Sequence, residues 1–563
     1  MSGKYTVPDS IKALKPKDIP CDIKVVGGKF YVYARGARVP DPNRPGKMKN
    51  TGGSLIGKIT NGEYVPRSAE IKSVTDFTVI PSILDYGPYA LALCCSEDIL
   101  TRLKKHFTVQ DAIRIYTIAV IWFVNGFTPA RDLGEIYLQS VLSLKWPSVA
   151  LSENTVSNFF KGLGRNRLNG IRFEQSLIDD GSGEYAIDGH VILCASDMNE
   201  LADFGNKYQK IGDTQMNLMM VYDVTRNRPV MCSAFDGALP DKIQVRDVLK
   251  TYSIHDATLI VDSSYYSEED IALYHRDNNR FFIPVPGTTL ISKMLLKENP
   301  ITYCGSFEYE RRDSTGRIIS TRILWSETTV ETVEVVVEEY LLKKAETKTQ
   351  ENMRNAKPGE KPKKVYSQKF TKSDFGADRL LIFQDCQMHD KLTAEYRSKI
   401  GTDGSYTDEE LSRLEKTFGV ILLRTNDQEK TPEQCYLSYK KRWRIETNYN
   451  YVRNGVDFNA LHASDYYVTQ GINFILMVEG LIYSSFLAKI QTCTNKKLKA
   501  MSVNECKVNA ARLKLTKLQN GRWAVSSILS RQKDIFTAFD VDIEKQLETI
   551  NKTEAGRKAS IRN

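Results

Sequence analysis

No Cys-x-x-Cys pair and no zinc-type spacing occurs among the ten cysteines of this 563-residue chain. A sulfur-ligated zinc site is therefore not expected. Cys94 and Cys95 are adjacent, a poor framework for a disulfide, so reduced and mostly buried thiols in a cytoplasmic protein fit best. The N-terminus, Met1-Ser-Gly-Lys-Tyr5, lacks an apolar core, and no secretory signal is expected. Long apolar runs are also missing: 112–123 and 472–487 are short for membrane spans, and Glu479 interrupts the second. Both read as core helices, with no membrane partner. A strong charge imbalance is absent too. The net charge of +9 and pI near 8.8 are modest for this length, so affinity for a polyanion must come from local patches and fall steeply with salt. The length predicts several domains.

What is present is concentrated in one segment, Tyr439-Lys-Lys-Arg442-Trp-Arg-Ile-Glu446-Thr-Asn-Tyr-Asn-Tyr-Val-Arg453. At about 100° per residue, Tyr439, Arg442, Glu446 and Arg453 share an arc of roughly 60° on one helix face. One carboxylate among cations and a phenol suits a face that meets something metal-bearing and polyanionic. Taken alone, the segment fits equally well a solvated face with an i,i+4 Arg–Glu pair.

Two β-branched runs supply partner acids: Glu184-Tyr-Ala-Ile-Asp188-Gly-His-Val-Ile-Leu193 and Ala257-Thr-Leu-Ile-Val-Asp262-Ser-Ser-Tyr-Tyr266. Asp188 lies inside a predicted strand, where a carboxylate is costly unless paired or metal-bound. Asp262 follows its strand, a place where Asp more often caps a turn, and Ser267-Glu-Glu-Asp270 then reads as a capping-type helix start. Between them lie strands at 216–224 and 229–235, a turn at Asn227-Arg-Pro229, and a helix over 241–252. A further helix at 268–275 and a strand at 280–284 give the order β-β-β-α-β-α-β. That order, with one Asp on the first strand and one after the fourth, predicts an α/β fold with an RNase H-like core, a mixed five-stranded sheet with helices. Glu446 would be the third acid, on a later helix. Phosphodiester cleavage with two Mg²⁺ ions needs such a set, because the carboxylates must hold the ions about 3.5–4 Å apart. Mg²⁺ is hard and takes few protein oxygens.

On these residues the chain resembles a bacterial DDE insertion-sequence transposase of the cut-and-paste, hairpin-forming type (the Insertion Sequence 4-like superfamily), which carries a Tyr-x2-Arg-x3-Glu-x6-Lys signature. Tyr439, Arg442 and Glu446 match, with Arg453 in the Lys position. Leu422-Leu-Arg-Thr-Asn-Asp427, Gly471-Ile-Asn-Phe-Ile-Leu476, Gln215-Met-Asn217, the Arg228-Pro-Val230 turn and Phe235-Asp-Gly-Ala-Leu-Pro-Asp241 add to it. The likeness covers residues 184–290 and 416–487. Three departures stand out: Arg453 offers a planar fork in place of an ammonium, Ser263-Ser264 replaces the usual Arg-Gly, and Gly189-His190 follows the first Asp. None removes a metal ligand.

The resemblance implies a catalytic and metal-binding triad of Asp188, Asp262 and Glu446. Asp188 would bridge two Mg²⁺ ions, for which Mn²⁺ substitutes. It also implies DNA contacts from Tyr439, Arg442 and Arg453, with Lys207 and Lys210 as further candidates beside an ordinary surface role. Trp325 is a candidate base-gripping residue by position only, beside the reading of a hairpin core residue. The partners implied are double-stranded DNA, as transposon ends and target, and a second copy of the chain as a homodimer on DNA. The location implied is cytoplasmic and nucleoid-associated. A nuclease of the same fold, or a domesticated DNA-binding protein, are the competing readings.

The expected organisation has six parts. Residues 1–75 form a small basic, strand-rich region around a Pro/Gly-rich loop at 41–53. Residues 76–183 are helical, with Thr108 as an N-cap and a helix-turn-helix-like spacing near Ser152–Lys161 that serves either end recognition or plain bundle packing. The core halves are 184–300 and 416–490. Glu446 follows Asp262 by 184 positions, so an inserted β-rich domain with a basic linker is expected at 301–415, with a hairpin about Ser314–Gly316. Thr328–Leu342 alternates Val with acids and is compatible with strand or helix, and 343–372 carries a net +7 and reads as flexible or DNA-following. Residues 491–563 are a basic, helical tail, with helical spacing from Trp523 to Leu529 and from Ile535 to Leu547.

Overall fold

The computed structural model describes residues 7–562 apart from 18, 37, 41–47, 51–52, 67–81, 195, 197–198, 205–213, 299–300, 313–316, 357–362, 402–405, 457–459 and 462. It contains two compact units, Met1–Ser82 and Ile83–Asn563. In the first, the strands Cys21–Val26, Lys29–Ala34, Leu55–Thr60 and Glu63–Pro66 form an antiparallel sheet. Cys21, Val32 and Ile59 are its buried centre. Most of the Pro/Gly-rich loop lies outside the described residues.

The second unit opens with helices. The most buried is α1 (Val109–Asn125), and Thr108 caps it by accepting from the Asp111 N–H at 3.1 Å. After α2 (Glu153–Arg165) comes a mixed sheet. Its first strands are β1 (Glu184–Cys194), β2 (Thr214–Asp223) and β3 (Arg228–Asp236), an antiparallel meander whose second turn places Asn227 at φ 55°. Helix α3 (Asp241–Thr251) leads to β4 (Thr258–Val261), and α4 (Glu268–Tyr274) leads to β5 (Arg280–Pro284). β4 runs parallel to β1, and β5 parallel to β4. The expected cap at Ser267 is not made by its side chain. Asp270, its capping-box partner, is drawn to Arg246 instead.

The sheet does not end at β5. The strands β6 (Gly305–Arg312), β7 (Ile318–Thr329), β8 (Arg379–Asp385) and β9 (Val420–Thr425) extend it in the order β3-β2-β1-β4-β5-β9-β8-β7-β6. The β-rich stretch at 301–415 is thus part of the main sheet and not a separate layer. β9 pairs with the edge of β5, which would otherwise expose a row of unpaired N–H and C=O groups. The turn at Ser314–Gly316 lies outside the described residues. From Val330 onward, the ambiguous Val-rich stretch is helix α5 (Val330–Asn355). Val330, Val333, Val337 and Leu341 are buried at helical spacing, and the alternating Val335 and Val336 are exposed. The first part of the basic run, 343–355, is therefore helical.

Helices α6 (Pro432–Lys440) and α7 (Trp443–Asn454) then precede α8 (Tyr466–Thr492). α8 is 27 residues long and is apolar enough by length and composition to cross a membrane, so the run at 472–487 understates it. It is the central helix of this unit and packs against α1, α2 and β3. A Cβ at Gly164 would lie 1.8 Å from the Tyr467 carbonyl oxygen, and one at Gly471 2.1 Å from that of Phe160. α2 and α8 meet backbone to backbone only because both residues are glycine. The inner face of α2 is thereby used in packing, and Glu153, Asn154, Ser157 and Asn158 face outward.

The tail is not wholly helical. Lys514–Lys517 pairs with Trp523–Val525 on one side and with Ile83–Asp85 on the other. Trp523, expected to start a helix, is a strand residue 5% exposed. Helices follow at Ser530–Ala538 and Ile543–Arg562.

Glu479 is fully buried in α8, where the Tyr451 hydroxyl donates to it. Burial pushes its carboxyl up to about 8, with Tyr451 and Lys507 opposing. The folded chain therefore keeps a proton that the unfolded chain releases near pH 4.5, and stability falls as pH rises from there to about 8. Glu479→Gln is expected to melt at or above the wild-type temperature at pH 8 and to lose that advantage towards pH 4.5. Matched thermal melts across this range test it, and a pH-independent difference would contradict it.

Candidate active site

The sheet register brings the first two acids together. Parallel pairing sets Val261 of β4 beside Ile187 of β1, so the next residues, Asp262 and Asp188, emerge side by side. Asp262 also caps the short turn Ser263–Tyr265 by accepting from the Ser263 N–H at 2.6 Å. The turn-cap role and the convergence on Asp188 coexist.

The third acid arrives on α7. The Tyr449 hydroxyl reaches the Asp188 carbonyl oxygen at 2.7 Å and that of Leu218 at 3.2 Å, which ties α7 to β1 and β2. His190 stacks on Tyr449 with centroids 5.0 Å apart. Glu446 lies about one turn before Tyr449 and is held over the same strand. Lys441 adds a second tie through Glu184 at 2.6 Å.

Tyr439 to Arg453 is not one continuous helix. α6 and α7 are joined by a tighter turn at Lys441–Arg442, where the Arg442 N–H bonds the Tyr439 carbonyl and the Ile445 N–H bonds that of Arg442, both at 3.0 Å. From this junction the Arg442 guanidinium points among the acids. Its Nη1 lies 3.0 Å from Asp188 and 4.0 Å from Asp262, and its Nη2 lies 2.7 Å from Glu446. Tyr265 completes the set, its hydroxyl 3.3 Å from Asp188 Oδ1.

Burial pushes the Asp188 carboxyl up to about 6, with Asp262 and Glu446 adding to the rise. Arg442 and the Gly189 N–H oppose it. Burial alone would lower the Arg442 pKa, but the surrounding acids and Tyr439 outweigh it and hold the guanidinium charged. The Tyr439 phenol is raised by burial and stays protonated. Burial pushes His190 down, with Arg453 adding to the effect.

The structure therefore brings together Asp188, Asp262, Glu446 and Arg442, with Tyr439 alongside. Arg453 is set apart from the acids, and its hydrogen bond is to Asn450 at 3.4 Å. Lys207 and Lys210 lie outside the described residues. Trp325 pairs with Gly305 of β6 and Phe383 of β8 and packs, half-buried, against the hydrophobic core. Its indole covers Gly305, where an added Cβ would meet Nε1 at 2.7 Å. β7 lies four strands from β4, on the order of 20 Å across the sheet. Tyr265 and Tyr449, which the sequence reading does not single out, each follow a candidate acid by three residues, and that spacing was the available signal.

Among the described residues, no group of three or more His, Cys, Asp and Glu side chains stands ready-made around a metal position. The three acids share a guanidinium instead. As donors they nonetheless suit a hard divalent cation: three carboxylates, from β1, the end of β4 and α7, each close to one centre of positive charge.

Neither a protein-family model nor a curated protein sequence matches the chain. Among solved structures it is similar to a piggyBac transposase synaptic complex with hairpin DNA, at 9% identity and a TM-score of 0.36, over 77% of this chain and 82% of that one. Similarity at that level does not establish a shared fold.

Proposed function

We propose that this chain is a DDE transposase: a metal-dependent enzyme that cleaves DNA at the ends of a mobile element and joins them to target DNA. The observation that carries this reading is the gathering of Asp188, Asp262 and Glu446 around one positive centre. The sheet order β3-β2-β1-β4-β5, with three antiparallel strands followed by two parallel ones, supports an RNase H-like core. The signature Tyr439, Arg442 and Glu446 supports the insertion-sequence type.

Asp188, Asp262 and Glu446 would hold two Mg²⁺ ions, or Mn²⁺ in their place, which when bound activate the attacking oxygen and stabilise the leaving one. Asp188 is ionised above pH 6 and is then able to serve as a ligand. The Arg442 fork offers paired donors to phosphate oxygens. Tyr439, still protonated, offers a further donor, and Arg453 adds positive charge along the same segment. In the proposed reaction, water cuts one strand at the element end. The 3′-hydroxyl so formed attacks the opposite strand to give a hairpin, and after reopening the free 3′-ends attack the target. The working form is a homodimer on double-stranded DNA in the cytoplasm, with the nucleoid.

The test is cleavage of labelled duplex carrying the gene's own flanking ends in Mg²⁺, beside Glu446→Gln. Nicking followed by a hairpin product, both lost in the variant, is the expected result. Binding without cutting in either Mg²⁺ or Mn²⁺ would contradict it and favour a DNA-binding protein that no longer transposes.

A further inference from the structure

Arg442 makes more contacts than a phosphate donor needs. One guanidinium, its side chain 16% exposed, meets all three acids through two nitrogens, at 3.0, 4.0 and 2.7 Å. It leaves the chain at the junction of α6 and α7, with the backbone held at φ −51°, ψ −33°. Rotation about its side-chain torsions moves the guanidinium while the backbone, in the right-handed helical region, stays as it is. Three ionised carboxylates carry −3 against one guanidinium at +1, so the cluster retains −2 and still attracts cations. A guanidinium and a divalent ion cannot occupy the same space between the same oxygens.

We propose that Arg442 is an internal cation that competes with divalent metal for Asp188, Asp262 and Glu446. It holds the three acids together until metal displaces it, and the displaced fork is then free to take a DNA phosphate. Loading the site and arming the DNA contact become one event. Arg442 acts here through the acids, as a positioning residue. The inference rests on the proposed function, because it takes the three acids as the metal ligands.

The test is Mn²⁺ binding by the full chain, followed by electron paramagnetic resonance, for wild type and Arg442→Gln. Thermal melts in chelator and in millimolar Mg²⁺ accompany it. Gln is shorter than Arg, keeps a polar end and carries no charge. The variant is expected to bind Mn²⁺ at least about tenfold more tightly, because the competitor is gone. It is also expected to melt lower in chelator and to gain more than wild type from Mg²⁺, because nothing else offsets the three acids. Arg442→Lys, which keeps the charge but loses the fork, is expected to shift in the same direction by less, and it serves if the Gln variant does not fold. Equal or weaker Mn²⁺ binding in the variants, with wild-type binding that Asp188→Asn abolishes, would overturn the competition and leave the metal site intact. No Mn²⁺ binding in any form would overturn the metal site itself.

Discussion

Asp188→Asn is expected to lose DNA cleavage by at least about 10³-fold, equivalent to about 4 kcal/mol of transition-state stabilisation, while DNA binding stays close to wild type. The same substitution is expected to stabilise the fold at neutral pH. The folded carboxyl is raised to about 6 from its ordinary 3.8, so ionising it in place costs on the order of 3 kcal/mol above pH 6. That cost develops as pH rises from about 4 to 6 and is absent below. Asn has the same shape and no charge, so its advantage should follow this window. A gel-based cleavage assay and denaturant titrations at pH 4.5 and 7.5 measure both effects. A variant that still cuts in Mg²⁺ would remove Asp188 from the chemistry. A variant less stable than wild type at pH 7.5 would mean that the Arg442 pair outweighs the burial of the charge.

Arg424→Met is expected to be the most damaging change away from the site. Arg424 is fully buried and binds Asp378 at 2.8 Å, Glu268 at 2.7 Å and Ser373 at 2.9 Å. Asp378 is 3% exposed, and its other side-chain partner is the His275 ring at 3.0 Å. Removing the guanidinium strands a buried carboxylate, a loss of about 3–5 kcal/mol. If Ile83–Asn563 unfolds cooperatively, that is a fall of about 4 °C in Tm. Adding Asp378→Asn should recover more than half of the loss, since the stranded charge is then gone. A single variant within about 1 kcal/mol of wild type would show that solvent reaches Asp378. The network joins β9 to α4 and so secures the junction where the sheet continues past β5. Its loss should destabilise the fold without altering the acids directly.

The sequence made the site more legible than the frame around it. Asp188 stood out because a carboxylate inside an apolar strand is costly, Glu446 because it shares a helix face with Tyr439 and Arg442, and Asp262 only in their company; a strand-by-strand reading of 184–284 returned the observed order of elements. The partner of the acids was also visible, since Arg442 lies one helical turn before Glu446. Its pairing with Glu446 follows from that spacing, whereas its reach to Asp188 and Asp262 was hidden because the contact between this segment and β1 is long-range. The strands β6 to β8 were read as a separate insertion, because the pairing that joins them to the core through β9 is long-range and no local pattern marks it. Thr328–Leu342 stayed open between strand and helix because a Val/Glu alternation has strand period, while the buried set has helical spacing. The tail strands were hidden in a basic run in which only Leu513 and Leu515 signal the core.

The most direct test of the three-acid site is anomalous diffraction from crystals grown with Mn²⁺. Peaks bounded by Asp188, Asp262 and Glu446, with the Arg442 guanidinium moved off the acids, are the predicted result. Mn²⁺ bound elsewhere, or a guanidinium still seated among the three carboxylates at saturating Mn²⁺, would contradict it.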